Sequence, residues 1–269
     1  MIHEIIDVTV EGSVGQSTLT TYVIDHSEAI MINKRPMILI CPGGGYNHVS
    51  EREGEMIALS FLAMGYHAAV LKYSVSPAVY PTQLLEVAKA MCYIRKHVEE
   101  WHIDPKKIFV QGSSAGGHLA ASLGCFWKKD LFNEITGGNS ELVRPNGMIL
   151  SYPVITSGEH AHRDSFVKLL DDRYDELVDE MSLEKQISAD TPKTFVWHTF
   201  EDGAVPVENS LLLMQALRKY NIPFECHIYP KGSHGLALGN ELTSADGVKD
   251  VQPEVTNWIQ MAGTFIKNF

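Results

Sequence analysis

The run Gly112-Ser113-Ser114-Ala115-Gly116 lies between the apolar, β-rich Ile108-Phe109-Val110 and a small-residue, helix-compatible stretch, Gly117-His118-Leu119-Ala120-Ala121. A strand, then G-x-S-x-G, then a helix requires a sharp turn that holds its central serine in strained backbone geometry. Glycines flank that serine because a Cβ at either place would collide with the neighbouring strand or helix. Ser114 Oγ is therefore expected above the sheet. The N–H of Ala115, at a helix N-terminus, would point where negative charge on an attacked oxygen forms. The rest of the chain must supply an acid, a histidine and a second donor for that oxygen.

Apolar runs and helical patterns alternate along the 269 residues. Residues 5–10 and 18–24 read as a short antiparallel pair at a sheet edge, separated by a Gly/Ser turn. Residues 37–40 are continuously apolar, as in a strand buried on both faces of a parallel sheet. A helix is expected over 51–64, with Met56, Leu59, Phe61 and Leu62 among its apolar positions and Gly65 as its stop. Residues 67–71 form the next strand. The three- and four-residue spacing of Leu84, Leu85, Ala88, Met91, Ile94, Val98 and Trp101 predicts a long amphipathic helix over 82–101. Further strands are expected at 147–151, 194–199 and 224–229, and helices at 207–220 and 251–266. About eight strands alternating with helices predict α/β architecture: a single domain over 1–269, doubly wound on a mostly parallel sheet. Residues 156–191 are polar and charged and read as two short helices. They are expected to form a small lid-like insertion between strands 6 and 7, over the sheet edge where ligands bind in open α/β folds, in preference to a solvated surface excursion.

Composition narrows the partners. The formal net charge of −11 argues against nucleic acid or an anionic membrane surface. Cys41, Cys92, Cys125 and Cys226 show neither C-x-x-C pairing nor zinc-ligand spacing, so free thiols are expected. No apolar stretch approaches membrane-spanning length. Met1-Ile2-His3-Glu4 carries no basic segment before an apolar run, so a cytoplasmic location is expected unless a leader precedes the sequence. The oligomeric state stays open, a homo-oligomer included.

A serine needs a histidine to take its proton and an acid to orient that histidine. His234, in Lys231-Gly232-Ser233-His234-Gly235, follows the last strand on a loop between glycines that can present an imidazole. His118 lies four residues along the elbow helix, where it faces away from the line of attack. Asp202 follows the penultimate strand, before a turn glycine and a helix start, and is the expected acid; Glu201 is its competitor. Gly43-Gly44-Gly45 follows the 37–40 strand, and the N–H groups of Gly44 and Gly45 are the expected second oxyanion donors. A phosphate-binding reading of these glycines fails, because neither G-K-[ST] nor G-x-G-x-x-G surrounds them.

Pro42-Gly43-Gly44-Gly45-Tyr46, Gly112–Gly116 with Gly117-His118-Leu119-Ala120, Trp197-His198-Thr199, Asp202 with Val205-Pro206-Val207-Glu208-Asn209-Ser210, and Tyr229-Pro230-Lys231-Gly232-Ser233-His234-Gly235 resemble the bacterial acetylesterases. These are α/β-hydrolases grouped with acetyl xylan esterases and hormone-sensitive-lipase-like enzymes. The order Ser, Asp, His is that of the α/β-hydrolases. The glycine run resembles their His-Gly-Gly-Gly loop, with Pro42 in place of the histidine. Ser113 departs from the phenylalanine often found before the nucleophile. The resemblance implies an α/β-hydrolase fold with an eight-stranded sheet, a Ser114-His234-Asp202 triad, and an oxyanion hole of Gly44, Gly45 and Ala115. It implies a small-molecule ester substrate with a short acyl group, such as acetyl on a small sugar or oligosaccharide, and no metal or organic cofactor. The competing readings are a serine peptidase of the prolyl-oligopeptidase type and a catalytically silent small-molecule receptor.

Overall fold

A computed structural model describes all residues from Met1 to Phe269. Eight strands form one sheet: β1 (Ile5–Asp7), β2 (Thr18–Tyr22), β3 (Arg35–Cys41), β4 (His67–Lys72), β5 (Ile103–Ser113), β6 (Gly147–Ser151), β7 (Lys193–Thr199) and β8 (Phe224–Tyr229). Their spatial order is β1-β2-β4-β3-β5-β6-β7-β8. β1 and β2 form the expected antiparallel edge, and β2 also pairs antiparallel with β4. Every pairing from β4 onward is parallel. This is the mostly parallel α/β sheet the alternation predicts.

Eight α-helices accompany the strands, seven between them and the last after β8: α1 (Glu55–Ala63), α2 (Thr82–Lys96), α3 (Ala115–Phe126), α4 (Asn133–Thr136), α5 (Arg163–Leu170), α6 (Tyr174–Leu177), α7 (Glu208–Lys219) and α8 (Trp258–Lys267). They lie on both faces of the sheet. On one face Val87, Met91, Leu123 and Leu213 pack with Leu39, Val110 and Leu150 in a core of 45 buried residues. On the other, Phe61, Trp258 and Ile266 pack with Ile38, Phe109 and Trp197 in a core of 20. Adjacent residues of one strand thus feed opposite cores, which is why these strands read as unbroken apolar runs.

Several helix ends differ from the periodic pattern. Residues 51–53 form a 3-10 turn, and Gly54 (φ −105°, ψ −100°) separates it from α1. Leu59, expected inside, is 40% exposed. α2 stops at Lys96 although Trp101 is buried. The chain turns there so that Tyr93, His97 and Trp101 stack on one another, and the imidazole of His97 bonds the Tyr93 carbonyl at 2.8 Å. α8 starts at Trp258 rather than 251, after a series of turns that includes Pro253.

Between β6 and β7 the two short helices expected in 156–191 are α5 and α6. Polar composition hides how firmly this segment is held. Phe166, Leu169, Leu170, Leu177, Met181 and Leu183 all join the larger core. No helix is long and apolar enough to cross a membrane.

Candidate active site

The chemistry gathers at the C-terminal edge of the parallel strands. β5 ends at Ser113, and Ser114 turns the chain into α3 with φ 54° and ψ −122°. Such a conformation costs a non-glycine residue on the order of 1–3 kcal/mol. Its neighbours hold it: Ser114 N–H donates to the Ser151 carbonyl at 3.0 Å, and Ser114 C=O accepts from Val154 N–H at 3.0 Å. The glycine requirement is steric, as expected. A Cβ on Gly112 would lie 2.1 Å from the Gly116 carbonyl oxygen, and one on Gly116 would lie 2.1 Å from that of Cys41.

His234 reaches this hydroxyl from the loop after β8, where Gly232 (φ 132°) and Gly235 (φ 77°) give the backbone its turns. Its Nε2 is 2.7 Å from Ser114 Oγ, and its Nδ1 is 2.6 Å from Asp202 Oδ2. A carboxylate only accepts, so Nδ1 carries the ring proton and Nε2 accepts from the serine. Residues 120 and 32 apart in sequence are thus joined in one hydrogen-bonded chain.

Asp202 lies after β7 with its side chain fully buried. Burial opposes its charge, but bonds from His198 and His234 and the Val205 N–H outweigh that, and its carboxyl sits well below the usual carboxylate range. Oδ1 accepts from the N–H groups of Ala204 and Val205 at 3.0 and 2.9 Å. Oδ2 is also 3.3 Å from Nε2 of the buried His198, whose Nδ1 lies 2.8 Å from Ser210 Oγ. Glu201, the competing acid, is exposed, and its Oε2 accepts only the Gly232 N–H at 3.4 Å.

The glycine loop after β3 forms the facing wall. Gly44 (φ 121°) and Gly45 (φ 65°) both sit in the left-handed half of conformational space. A Cβ on Gly44 would lie 2.1 Å from the His48 carbonyl oxygen. The N–H groups of Gly44 and Gly45 donate to no acceptor within the protein, and neither does that of Ala115, the first residue of α3. His118 is fully buried behind the serine, with Nε2 donating to the Met181 carbonyl at 2.9 Å and Nδ1 accepting from Tyr46 O–H at 2.9 Å. Burial pushes its pKa down to about 4, so this imidazole is neutral.

Ser114, His234, Gly44 and Gly45 open into a cleft of about 810 Å³, whose far side is built by His162, Asp164, Val167 and Lys168 at α5. Val167 is the one hydrophobic residue lining it. A second cavity, about 500 Å³ between β1 and α2, shares no lining residue with the first and contains neither serine nor histidine. No three His, Cys, Asp or Glu side chains converge as a metal site. The constellation can take a proton from a serine hydroxyl, keep the resulting imidazolium beside a carboxylate, and offer N–H donors to an oxyanion.

Residues 26–217 match the BD-FAE family. The chain belongs to that family. It is 41% identical over 217 residues to endo-1,4-beta-xylanase B of Butyrivibrio fibrisolvens, covering 77% of this chain and 33% of that protein. It is 26% identical over 226 residues to the acetylxylan esterase of Xylanibacter ruminicola, covering 81% of this chain and 44% of that one. The chain therefore spans between a third and a half of the length of these curated relatives. The crystal structure of the acetyl ester-xyloside bifunctional hydrolase from Caldicellulosiruptor lactoaceticus superposes with a TM-score of 0.84 at 34% identity, covering 98% of this chain and 96% of the other. The BD-FAE chain thus has the α/β-hydrolase fold.

Within this BD-FAE fold several residues around the site carry no signal from their type alone. His198 falls in the Trp197-His198-Thr199 run, but only its burial against Asp202 reveals its role. Asn209 lies in another matching run. Its side-chain oxygen accepts the N–H groups of Ile155 and Thr156 at 2.9 and 3.0 Å, and its amide donates to the His160 and Pro206 carbonyls at 2.9 and 3.0 Å. Three of these four bonds tie the start of the 156–191 segment and the residue before it to α7. Glu53 and Tyr152 are buried polar groups that no motif announces.

Proposed function

We propose that this chain is a serine carboxylic-ester hydrolase acting on short acyl esters of small, hydroxyl-rich alcohols, chiefly acetyl groups on sugars or oligosaccharides. The observation that carries this reading is the unbroken chain Ser114 Oγ, His234 Nε2, His234 Nδ1, Asp202 Oδ2, with links of 2.7 and 2.6 Å. Ser114 attacks the ester carbonyl while its proton passes to His234 Nε2. Asp202 holds the imidazole in the required tautomer and stabilises the imidazolium. Negative charge builds on the former carbonyl oxygen, where the N–H groups of Gly44, Gly45 and Ala115 receive it. Collapse expels the alcohol, which takes the proton from His234. Water, deprotonated by the same imidazole, then cleaves the acyl-enzyme and releases the carboxylate.

The substrate class follows from the walls. A cleft whose only hydrophobic lining is Val167 has little to cover a long acyl chain, while His48, Asn47, His162 and Lys168 offer hydrogen bonds to hydroxyls. Relatives named acetylxylan esterase and acetyl ester-xyloside hydrolase support the same substrate. In this reading residues 1–269 act as one domain, and the 156–191 insertion is the lid whose α5 closes one side of the cleft. The unpaired thiols of Cys41, Cys92, Cys125 and Cys226 fit the reducing cytoplasm. There the accessible substrates are soluble acetylated oligosaccharides rather than polymeric xylan.

The test is hydrolysis of p-nitrophenyl esters of increasing acyl length, with acetylated xylo-oligosaccharides and an aminoacyl anilide alongside. Turnover should be greatest with acyl chains of about two to four carbons and should vanish in Ser114→Ala. A maximum at about eight carbons or more, a preference for the anilide, or a retained burst in Ser114→Ala would refute the reading.

A further inference from the structure

The loop bearing Gly44 and Gly45 and the loop bearing His234 leave the sheet from β3 and β8, with β5, β6 and β7 between them. One buried carboxylate connects them. Glu53, 3% exposed, closes the 3-10 turn Glu51–Glu53 that follows the glycine loop. Its Oε2 accepts the Gly43 N–H at 2.8 Å, and its Oε1 accepts the Tyr152 O–H at 2.6 Å. The same Tyr152 oxygen accepts the N–H of Ala237 at 2.9 Å, three residues beyond His234. Tyr152 stands just after β6 at φ 38°, a costly conformation for a bulky side chain. Its ring lies against the His234 imidazole, 5.1 Å between centroids and 73° between planes.

Glu53 makes no ion pair. Burying a carboxylate without a counter-cation is costly unless hydrogen bonds compensate it. What the carboxylate provides is two acceptors at fixed positions. One takes the Gly43 N–H and so sets the peptide plane that leads into Gly44. No Cβ fits at Gly43, where it would lie 2.7 Å from Glu53 Oε2 and 2.8 Å from the Ser113 carbonyl oxygen. The other acceptor orients Tyr152, whose hydroxyl pins the backbone beyond His234 and whose ring backs the imidazole.

We propose that Glu53, acting through Gly43 on one side and Tyr152 on the other, is a positioning residue that holds the oxyanion donors and the general base in a single register. It lines the cleft beside Ser114 and His234 but hydrogen-bonds neither of them. This inference rests on the reading of Ser114 and His234 as an ester-hydrolysing pair. Glu53 sets the distance between the place where the oxyanion forms and the imidazole that delivers the proton.

Glu53→Gln keeps the size of the side chain but replaces one acceptor by a donor, so one N–H or O–H in the relay loses its partner. With p-nitrophenyl acetate, kcat should fall about 10- to 100-fold, as for misplacements of about 1 Å, with KM within about twofold of wild type. The inhibition constant of a trifluoromethyl ketone, whose adduct with Ser114 carries the oxyanion, should rise by the same factor. Tyr152→Phe cuts the same relay from its other end and leaves Glu53 on Gly43, so it carries the test should Glu53→Gln fold poorly. The double variant should be no slower than the slower single one. Wild-type turnover that disappears in Ser114→Ala secures the underlying reading separately, and turnover retained there would overturn both. With that reading secure, kcat within about twofold of wild type in both single variants, or unchanged affinity for the ketone, would overturn the role of Glu53.

Discussion

Asp202→Asn is the sharpest probe of the proton path, because every neighbour of that carboxylate is known. Oδ1 accepts the Ala204 and Val205 N–H groups at 3.0 and 2.9 Å, and an asparagine oxygen can do the same. The amide NH₂ then occupies the place of Oδ2, 2.6 Å from His234 Nδ1, where the wild-type ring donates. Two donors cannot face each other there, so His234 must adopt the other tautomer, with Nδ1 accepting and Nε2 protonated. Nε2–H then faces the Ser114 hydroxyl and cannot take its proton. The equivalent exchange in chymotrypsin-like proteases costs about 10⁴-fold in kcat, or about 5 kcal/mol at 1.36 kcal/mol per tenfold. His198 keeps the Val205 carbonyl at 2.9 Å as an acceptor, so the fold loses little. Initial rates with p-nitrophenyl acetate near neutral pH, against Ser114→Ala as baseline, measure the effect. Thermal unfolding confirms that the variant remains folded. Glu201→Gln serves as the control and should stay near wild type, because that side chain is exposed. Asp202→Asn within about tenfold of wild-type kcat, or Glu201→Gln slower than Asp202→Asn, would refute the reasoning.

Two further outcomes follow from other parts of the site. Gly44→Ala forces a Cβ to 2.1 Å from a backbone oxygen at φ 121°, so the loop must move; kcat should drop at least about 100-fold, the loss of one oxyanion donor, with secondary structure retained by circular dichroism. His118 and His67 are buried, and burial pushes both from an ordinary 6.5 down to about 4. The unfolded chain binds more protons than the folded one between those values. Stability from these groups is therefore complete above about pH 6.5 and declines as pH falls to about 4. Asp202, held below its ordinary 3.8, loses its contribution only at lower pH. Tm should fall across the 6.5-to-4 window, and His118→Gln should flatten that decline; an unchanged slope in the variant would assign the effect elsewhere.

Much of this protein is legible residue by residue, because the physics concerned is local. The glycines around Ser114 are demanded by contacts within a few residues and with the adjacent strand. The unbroken apolar runs of β3, β5 and β6 report burial on both faces of a sheet. The end of α2 was not legible, since Val98 and Trp101 continue a helical spacing while the stack of Tyr93, His97 and Trp101 draws the chain out of the helix. In the insertion between β6 and β7 the two short helices are legible but their anchoring is not. Its many acidic residues suggest a solvated excursion, but Phe166, Leu169 and Leu170 on one face of α5 anchor it in the core.

Chain order and flanking residues single out Ser114, Asp202 and His234, but they say nothing of distance. Only the parallel stacking of β5, β6, β7 and β8 in one sheet, with their C-terminal ends at one edge, brings the three within 2.7 Å steps of one another. The same holds for Glu53 and Tyr152, separated by 99 residues and joined by a 2.6 Å hydrogen bond. A sequence carries the steric demands of each turn and the burial of each strand, because these depend on side chains a few positions apart. Contacts between buried polar groups from distant segments depend on how the whole sheet is stacked, and tertiary structure alone decides them.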